Sequence, residues 1–238
     1  MNCFYKRLET SLAGMDGGNI NAKLWFSGLE WAGKDEAITL EVTRPTYSEN
    51  TLSVPYLSPD WKRKNPNFYK WQFDQKIAKI ICRVLDYKGA YKEYMQDHYC
   101  NSNSNEFKLN LFPLPCNDLQ SWDKEHIAIT NTKIKYHYQT HCSNNRFKLF
   151  ASLVKQYKPS VIVCFGTRFL EEYKMAFWGN GEPEMLSDER FKLSKGKNEI
   201  YIFKARRLPT LIICPFLGRN LVANIELEEL GDIIKSIL

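Results

Sequence analysis

Apolar and polar positions alternate between two periods along this chain, and the switches between them outline an α/β fold. Phe73, Ile77, Ile80, Ile81, Val84 and Leu85 recur at helical spacing and predict an amphipathic helix over residues 68–85. Phe147, Phe150, Leu153 and Val154 do the same over 144–157, where Pro159 stops the helix. Residues 161–165 are continuously apolar, the pattern of a strand buried on both faces. Shorter apolar runs predict strands at 22–27, 107–112, 199–204 and 210–214, and helices at 168–177 and 221–238. Residues 15–21 read as a Gly/Asn-rich turn, 121–138 is ambiguous, and 178–196 is polar and loop-like. Three prolines, Pro45, Pro55 and Pro59, mark a long irregular insertion at about 38–66. Strands alternating with helices predict a single domain over 1–238. Its fold class is α/β, three-layer αβα, with a central, mostly parallel sheet of four to five strands.

Three of these strands break into Gly- or Pro-containing loops. They are Gly28-Leu29-Glu30-Trp31-Ala32-Gly33, Asn110-Leu111-Phe112-Pro113-Leu114, and Cys214-Pro215-Phe216-Leu217-Gly218-Arg219-Asn220 with Ala223-Asn224 close behind. In an open α/β sheet such loops meet outside the carboxyl ends of the strands, where ligands bind.

Composition narrows the chemistry. The 7 cysteines are scattered and form no Cys-x-x-Cys pair, which argues against a disulfide framework, a zinc site or an iron–sulfur cluster. No metal or other cofactor is expected. No apolar stretch is long enough to span a bilayer, and the amino terminus lacks a secretory core, so a cytoplasmic, reducing setting is expected. A net charge of +6 permits a nucleic-acid partner without requiring one. Lys62, Arg63 and Lys64 in a Pro-bounded loop, and Arg206 and Arg207 before the last strand, are candidate phosphate contacts, although each singly fits a solvated charged face equally well. The chain contains no Gly-x-Ser-x-Gly elbow, no P-loop and no Gly-x-Gly-x-x-Gly fingerprint.

As a set, the three loops resemble the motifs of the uracil-DNA glycosylase superfamily, closest to its single-strand-selective branch. The matching segments are Gly28–Gly33, Asn110–Leu114 and Cys214–Asn220 followed by Ala223-Asn224. The order and approximate spacing agree, and the likeness covers most of the chain after Leu24. The resemblance implies hydrolysis of the bond between a flipped base and its deoxyribose in DNA. It implies that Glu30 orients water, that Asn110 reads the base edge, and that Trp31, Phe112 and Phe216 wall the pocket. It also implies that Leu217, Arg219 and Asn220 face DNA, with Leu217 as an apolar wedge. Cys214 stands where the family has a His that donates to the leaving base, and Phe216 replaces a Ser. A thiol is a poor donor. The expected function is therefore a glycosylase for a non-standard or modified base, in repair or in defence against phage with modified DNA. A catalytically silent base-sensing module on the same fold is the alternative. His98, His126, His137 and His141 are possible replacements for the missing donor.

Overall fold

A computed structural model describes residues 4–5, 8–32, 54–193, 197–218 and 221–238. The chain is α/β, with a seven-stranded mixed sheet. Its strands are β1 (Met15–Gly18), β2 (Leu24–Gly28), β3 (Glu106–Asn110), β4 (Val161–Phe165), β5 (Met185–Lys192), β6 (Glu199–Ala205) and β7 (Thr210–Cys214). The spatial order is β1-β3-β2-β4-β7-β6-β5. Four central strands, β3, β2, β4 and β7, run parallel, whereas β1, β6 and β5 add antiparallel edges.

The helices are α1 (Pro59–Lys64), α2 (Gln72–Val84), α3 (Tyr91–Asp97), α4 (Lys124–Thr130), α5 (Lys135–Tyr157), α6 (Leu170–Trp178) and α7 (Asn224–Ile237). Alternation along the strands divides the core between the two faces of the sheet. Trp25, Leu109, Ile162, Cys164 and Ile213 pack with Phe147, Phe150, Tyr173 and Phe177 of α5 and α6. Leu24, Phe26, Val163, Phe165 and Ile212 pack with Ile77, Ile80, Tyr94 and Leu227 of α2, α3 and α7. Each central strand contributes to both cores, which is why 161–165 reads as unbroken apolar sequence.

The sheet is larger than the four to five strands expected. Residues 15–18 form a bulged edge strand on β3 rather than a free turn, because Met15 and Gly18 pair with Leu109 and Phe107. Residues 185–192 form β5 rather than a loop. This strand has no buried face, so its sequence carries no apolar alternation. The insertion is also less irregular than expected: residues 59–64 form α1, whose cap is the Ser58 hydroxyl accepting from Trp61 N at 3.1 Å. Its segment 33–53 lies outside the described residues. Helix α5 begins nine residues before the expected 144, because Tyr138 and Cys142 continue its buried stripe.

One buried charge cluster holds the second core together at the β1–β3 edge. Lys108 Nζ lies 2.6 Å from Asp74 Oδ1 and 3.0 Å from Asp16 Oδ2, and the Tyr99 hydroxyl donates to Asp74 at 2.8 Å. Burial works against the Lys108 charge, but the two carboxylates outweigh it and raise its pKa.

Candidate active site

The first parallel strand, β2, lies between the second, β3, and the third, β4. The order therefore reverses at β2, and the crevice beyond its carboxyl end is the switch point where α/β sheets bind ligands. All three motif loops leave the sheet at this end. The first two continue as a parallel ladder: Leu111 N donates to Gly28 O at 3.0 Å, Phe112 N to Leu29 O at 2.7 Å, and Cys116 N to Trp31 O at 2.8 Å. The third is tied to β4 by Gly166 N donating to Cys214 O at 2.8 Å. Gly166 has φ +140°, a conformation that suits glycine, and an added Cβ would press on Leu29.

On the α2 face, Asn110 meets Gly28. A Cβ on Gly28 would sit 2.3 Å from Asn110 Oδ1, so only glycine admits the amide there. Asn110 Nδ2 donates to Gly14 O at 3.1 Å, and its other donor and its Oδ1 have no protein hydrogen bond among the described residues. Beside it lies an aromatic stack. Phe73 at the start of α2 stacks on Phe216 at 5.4 Å and meets Phe165 edge-on at 5.2 Å. Phe216 is 46% exposed, so its outer face is open. Lys76, one turn along α2 from Phe73, donates to Gly218 O at 2.7 Å and anchors this loop.

Glu30 points away from that stack, into a separate polar cluster. Its Oε1 accepts from Lys135 Nζ at 2.6 Å, and Lys135 also donates to Asp118 O at 3.0 Å. Both side chains are nearly buried, and Glu30 Oε2 has no hydrogen-bond partner among the described residues. Burial raises the Glu30 pKa, and Lys135 offsets only part of that. Cys116 and His126 line the same cluster, with Cys116 Sγ 3.5 Å from His126 Nε2. The Cys116 thiol is pushed up to about 12 by burial and by Glu30. His126 Nδ1 accepts from Asp123 N, which leaves Nε2 to donate to Pro115 O at 2.8 Å.

Several expected roles do not fit these positions. Cys214 is 2% exposed in the α2-side core, makes no side-chain hydrogen bond among the described residues, and has its pKa raised by burial. It is a packed neutral thiol rather than a catalytic donor. Phe112 is buried among Tyr138, Phe147 and Phe169 and offers no face to a base. Leu217 is fully buried in the α2–α7 core and is not an exposed wedge. Lys62 is 1% exposed, with Nζ donating to Gln96 O and Asn101 Oδ1, so it is a structural tie rather than a phosphate contact. Arg63 and Lys64 are exposed on α1, and Arg63 pairs with Asp60. Arg206 and Arg207 sit in the β6–β7 turn, at the amino end of β7 and so at the opposite end of the parallel strands from the motif loops. Arg206 is paired there with Glu184. Trp31 is half-buried on the ladder. Arg219 and Asn220 lie outside the described residues.

Sequence reading missed Phe73 and Lys135 as site residues. Phe73 looked like one more apolar position of α2, and Lys135 lay in the ambiguous stretch. Among the described residues, none of the four histidines is hydrogen-bonded to Cys214. His126 is engaged as above, His98 packs on Tyr87 and Tyr94, His141 stacks on Tyr5, and His137 is exposed on α5. Among the described residues, no group of three or more His, Cys, Asp or Glu side chains could hold a metal ion, and no helix is long and apolar enough to cross a membrane. Comparison of the chain with protein-family models and with curated proteins finds no match.

Proposed function

We propose that the chain is a DNA N-glycosylase with a three-layer, uracil-DNA glycosylase-like fold, acting on a flipped, non-standard base. The observation that carries this reading is the Gly28–Asn110 contact beside the Phe73–Phe216 stack, at the topological switch point. An amide whose second donor and whose acceptor are unused among the described residues suits a base edge, and an exposed ring suits its face. The base would enter between the second and third motif loops.

Hydrolysis by Glu30, which follows Gly28 on the same loop, would require its side chain to leave Lys135 and turn towards the base, because it otherwise points away from the Phe73–Phe216 stack. Water attacks the sugar carbon as the glycosidic bond breaks, the bond's electron pair leaves with the base, and the water's proton passes to the carboxylate. The departing base takes its proton from solvent. Lys135 favours the ionised form of Glu30 and offsets part of the rise that burial causes in its pKa. With Cys214 unable to donate, the base must leave readily as an anion, which favours a modified base over plain uracil.

A catalytically silent base-sensing module is the second reading, and the Glu30–Lys135 ion pair favours it. A carboxylate already spent on a buried lysine is less free to take a proton. The deciding experiment incubates the protein with uracil oligonucleotides and with a panel of modified phage DNAs, then traps exposed sugar aldehydes. Aldehydes on one class, lost in Glu30→Gln, support the glycosylase. Salt-sensitive binding without aldehydes supports the silent module.

A further inference from the structure

A second concavity lies at the amino-terminal end of the parallel strands, where Ser160 and Pro209 lead into β4 and β7. Its volume is about 630 Å³, within the range of small-molecule sites. Phe177, Trp178, Leu208 and Pro209 give it apolar walls. Its charged lining is of one sign: Lys155, Lys158 and Arg207, with no acidic side chain. None of these three cations forms an ion pair among the described residues. Arg206 next door, by comparison, is paired with Glu184.

Backbone geometry sharpens the contrast. Lys158 caps α5 at φ 51°, and Arg207 turns from β6 towards β7 at φ 62°. Both are left-handed positions where glycine or asparagine sits without strain. Two such positions flank one apolar cavity, and both carry a long cation. Strain kept where a cheaper residue would serve points to function at that position.

We propose that this cavity binds an amphipathic anion: an apolar chain or ring system inside, with a carboxylate or phosphate held at the rim by Lys158, Arg207 and Lys155. The apolar walls remove the body from water, and the three cations meet the head group without a competing acid. This site is independent of the proposed glycosylase site, which lies at the other end of the strands.

The test is a fluorescence titration of the full chain with anilinonaphthalene sulfonate, an aromatic body with one anionic group. Saturable binding at one site is expected, with displacement by decanoate or decyl phosphate but not by decanol at equal concentration. The stronger of the two anionic competitors identifies the head group. The double variant Lys158→Gly/Arg207→Gly relieves the backbone rather than straining it, so it should fold, and it should bind the dye at least about tenfold more weakly. Phe216→Ala, at the opposite end, should leave dye binding unchanged. Non-saturable dye binding, displacement by decanol as effective as by decanoate, or unchanged affinity in the double variant with an unaltered circular dichroism spectrum would each overturn the proposal.

Discussion

The Lys135 ammonium stands 2.6 Å from Glu30 Oε1, and both side chains are almost out of solvent. One residue comes from the loop after the first parallel strand and the other from the start of α5, so the pair joins the candidate site to the opposite helical layer. Removing either partner leaves the other charge buried and unpaired, which costs several kcal/mol in comparable cases.

If Glu30 activates water, its ionised form is the working one. Burial raises its pKa and Lys135 lowers it, so Lys135→Met should raise it further. Cleavage should then fall off at a higher pH on the acid side than in the native protein, while Glu30→Gln should lose at least about a hundredfold at every pH. Abasic-product rates measured across pH would check both. An acid limb that did not move in Lys135→Met would remove Glu30 from the chemistry.

Phe216 is half exposed and stacks on Phe73 through one face only. Replacing it with alanine should cost about 1–2 kcal/mol of stability, because about half of its area is buried against Phe73 and its neighbours. Binding of single-stranded oligonucleotide should weaken by about tenfold, the usual scale of one lost base–aromatic stack. Fluorescence anisotropy on wild type and Phe216→Ala separates the two effects. Equal affinities would mean the stack is only a lid on the core.

The elements that position this site were legible because they are buried on two faces. Residues 161–165 and 210–214 announced their strands at the observed boundaries. The same logic hid β5, whose residues alternate between solvent and solvent and whose strand is fixed by pairing with β6, with Arg190 and Glu199 as an exposed ion pair. It also misplaced charges. Lys62 and Arg63 are neighbours of one type in sequence, yet α1 turns the first inward to the Gln96 carbonyl and leaves the second in water. Side-chain direction on a short helix depends on what it packs against, which adjacent residue types do not reveal. For Arg206 and Arg207 the missing information was topological. The antiparallel return of β6 carries them to the far end of the sheet.

Leu217 provides a test of the loop's inner side. It was a candidate wedge for DNA, but it is buried with Val222, Leu227 and Phe165 in the core under α2 and α7. Leu217→Ala should therefore destabilise the fold by about 2–4 kcal/mol, the range for emptied leucine sites. Denaturant unfolding monitored by circular dichroism would measure it. A change below about 0.5 kcal/mol would put the side chain back at the surface.

Glu106 predicts how stability responds to pH. Its carboxylate is fully buried at the start of β3, accepting from the Tyr94 hydroxyl at 2.6 Å and from Cys100 N at 2.6 Å. Burial raises its pKa from 4.5 to about 7, against the pull of these donors. Below 4.5 the group is protonated in both folded and unfolded chains and adds no slope. Between 4.5 and about 7 the unfolded chain has released the proton and the folded chain still holds it. The folded state then binds more protons, so this group's share of stability falls as pH rises through the window, by ~3 kcal/mol in all. Glu106→Gln cannot ionise, and its amide can donate to the Tyr94 hydroxyl while its oxygen accepts from Cys100 N. The variant should lose that downward slope and should gain on wild type as pH rises from 5 to 7.5, about the window in question. Urea midpoints taken across this range would decide it. Parallel curves for the two proteins would mean that Glu106 ionises at its ordinary value in the fold, with the Tyr94 and Cys100 donors outweighing burial.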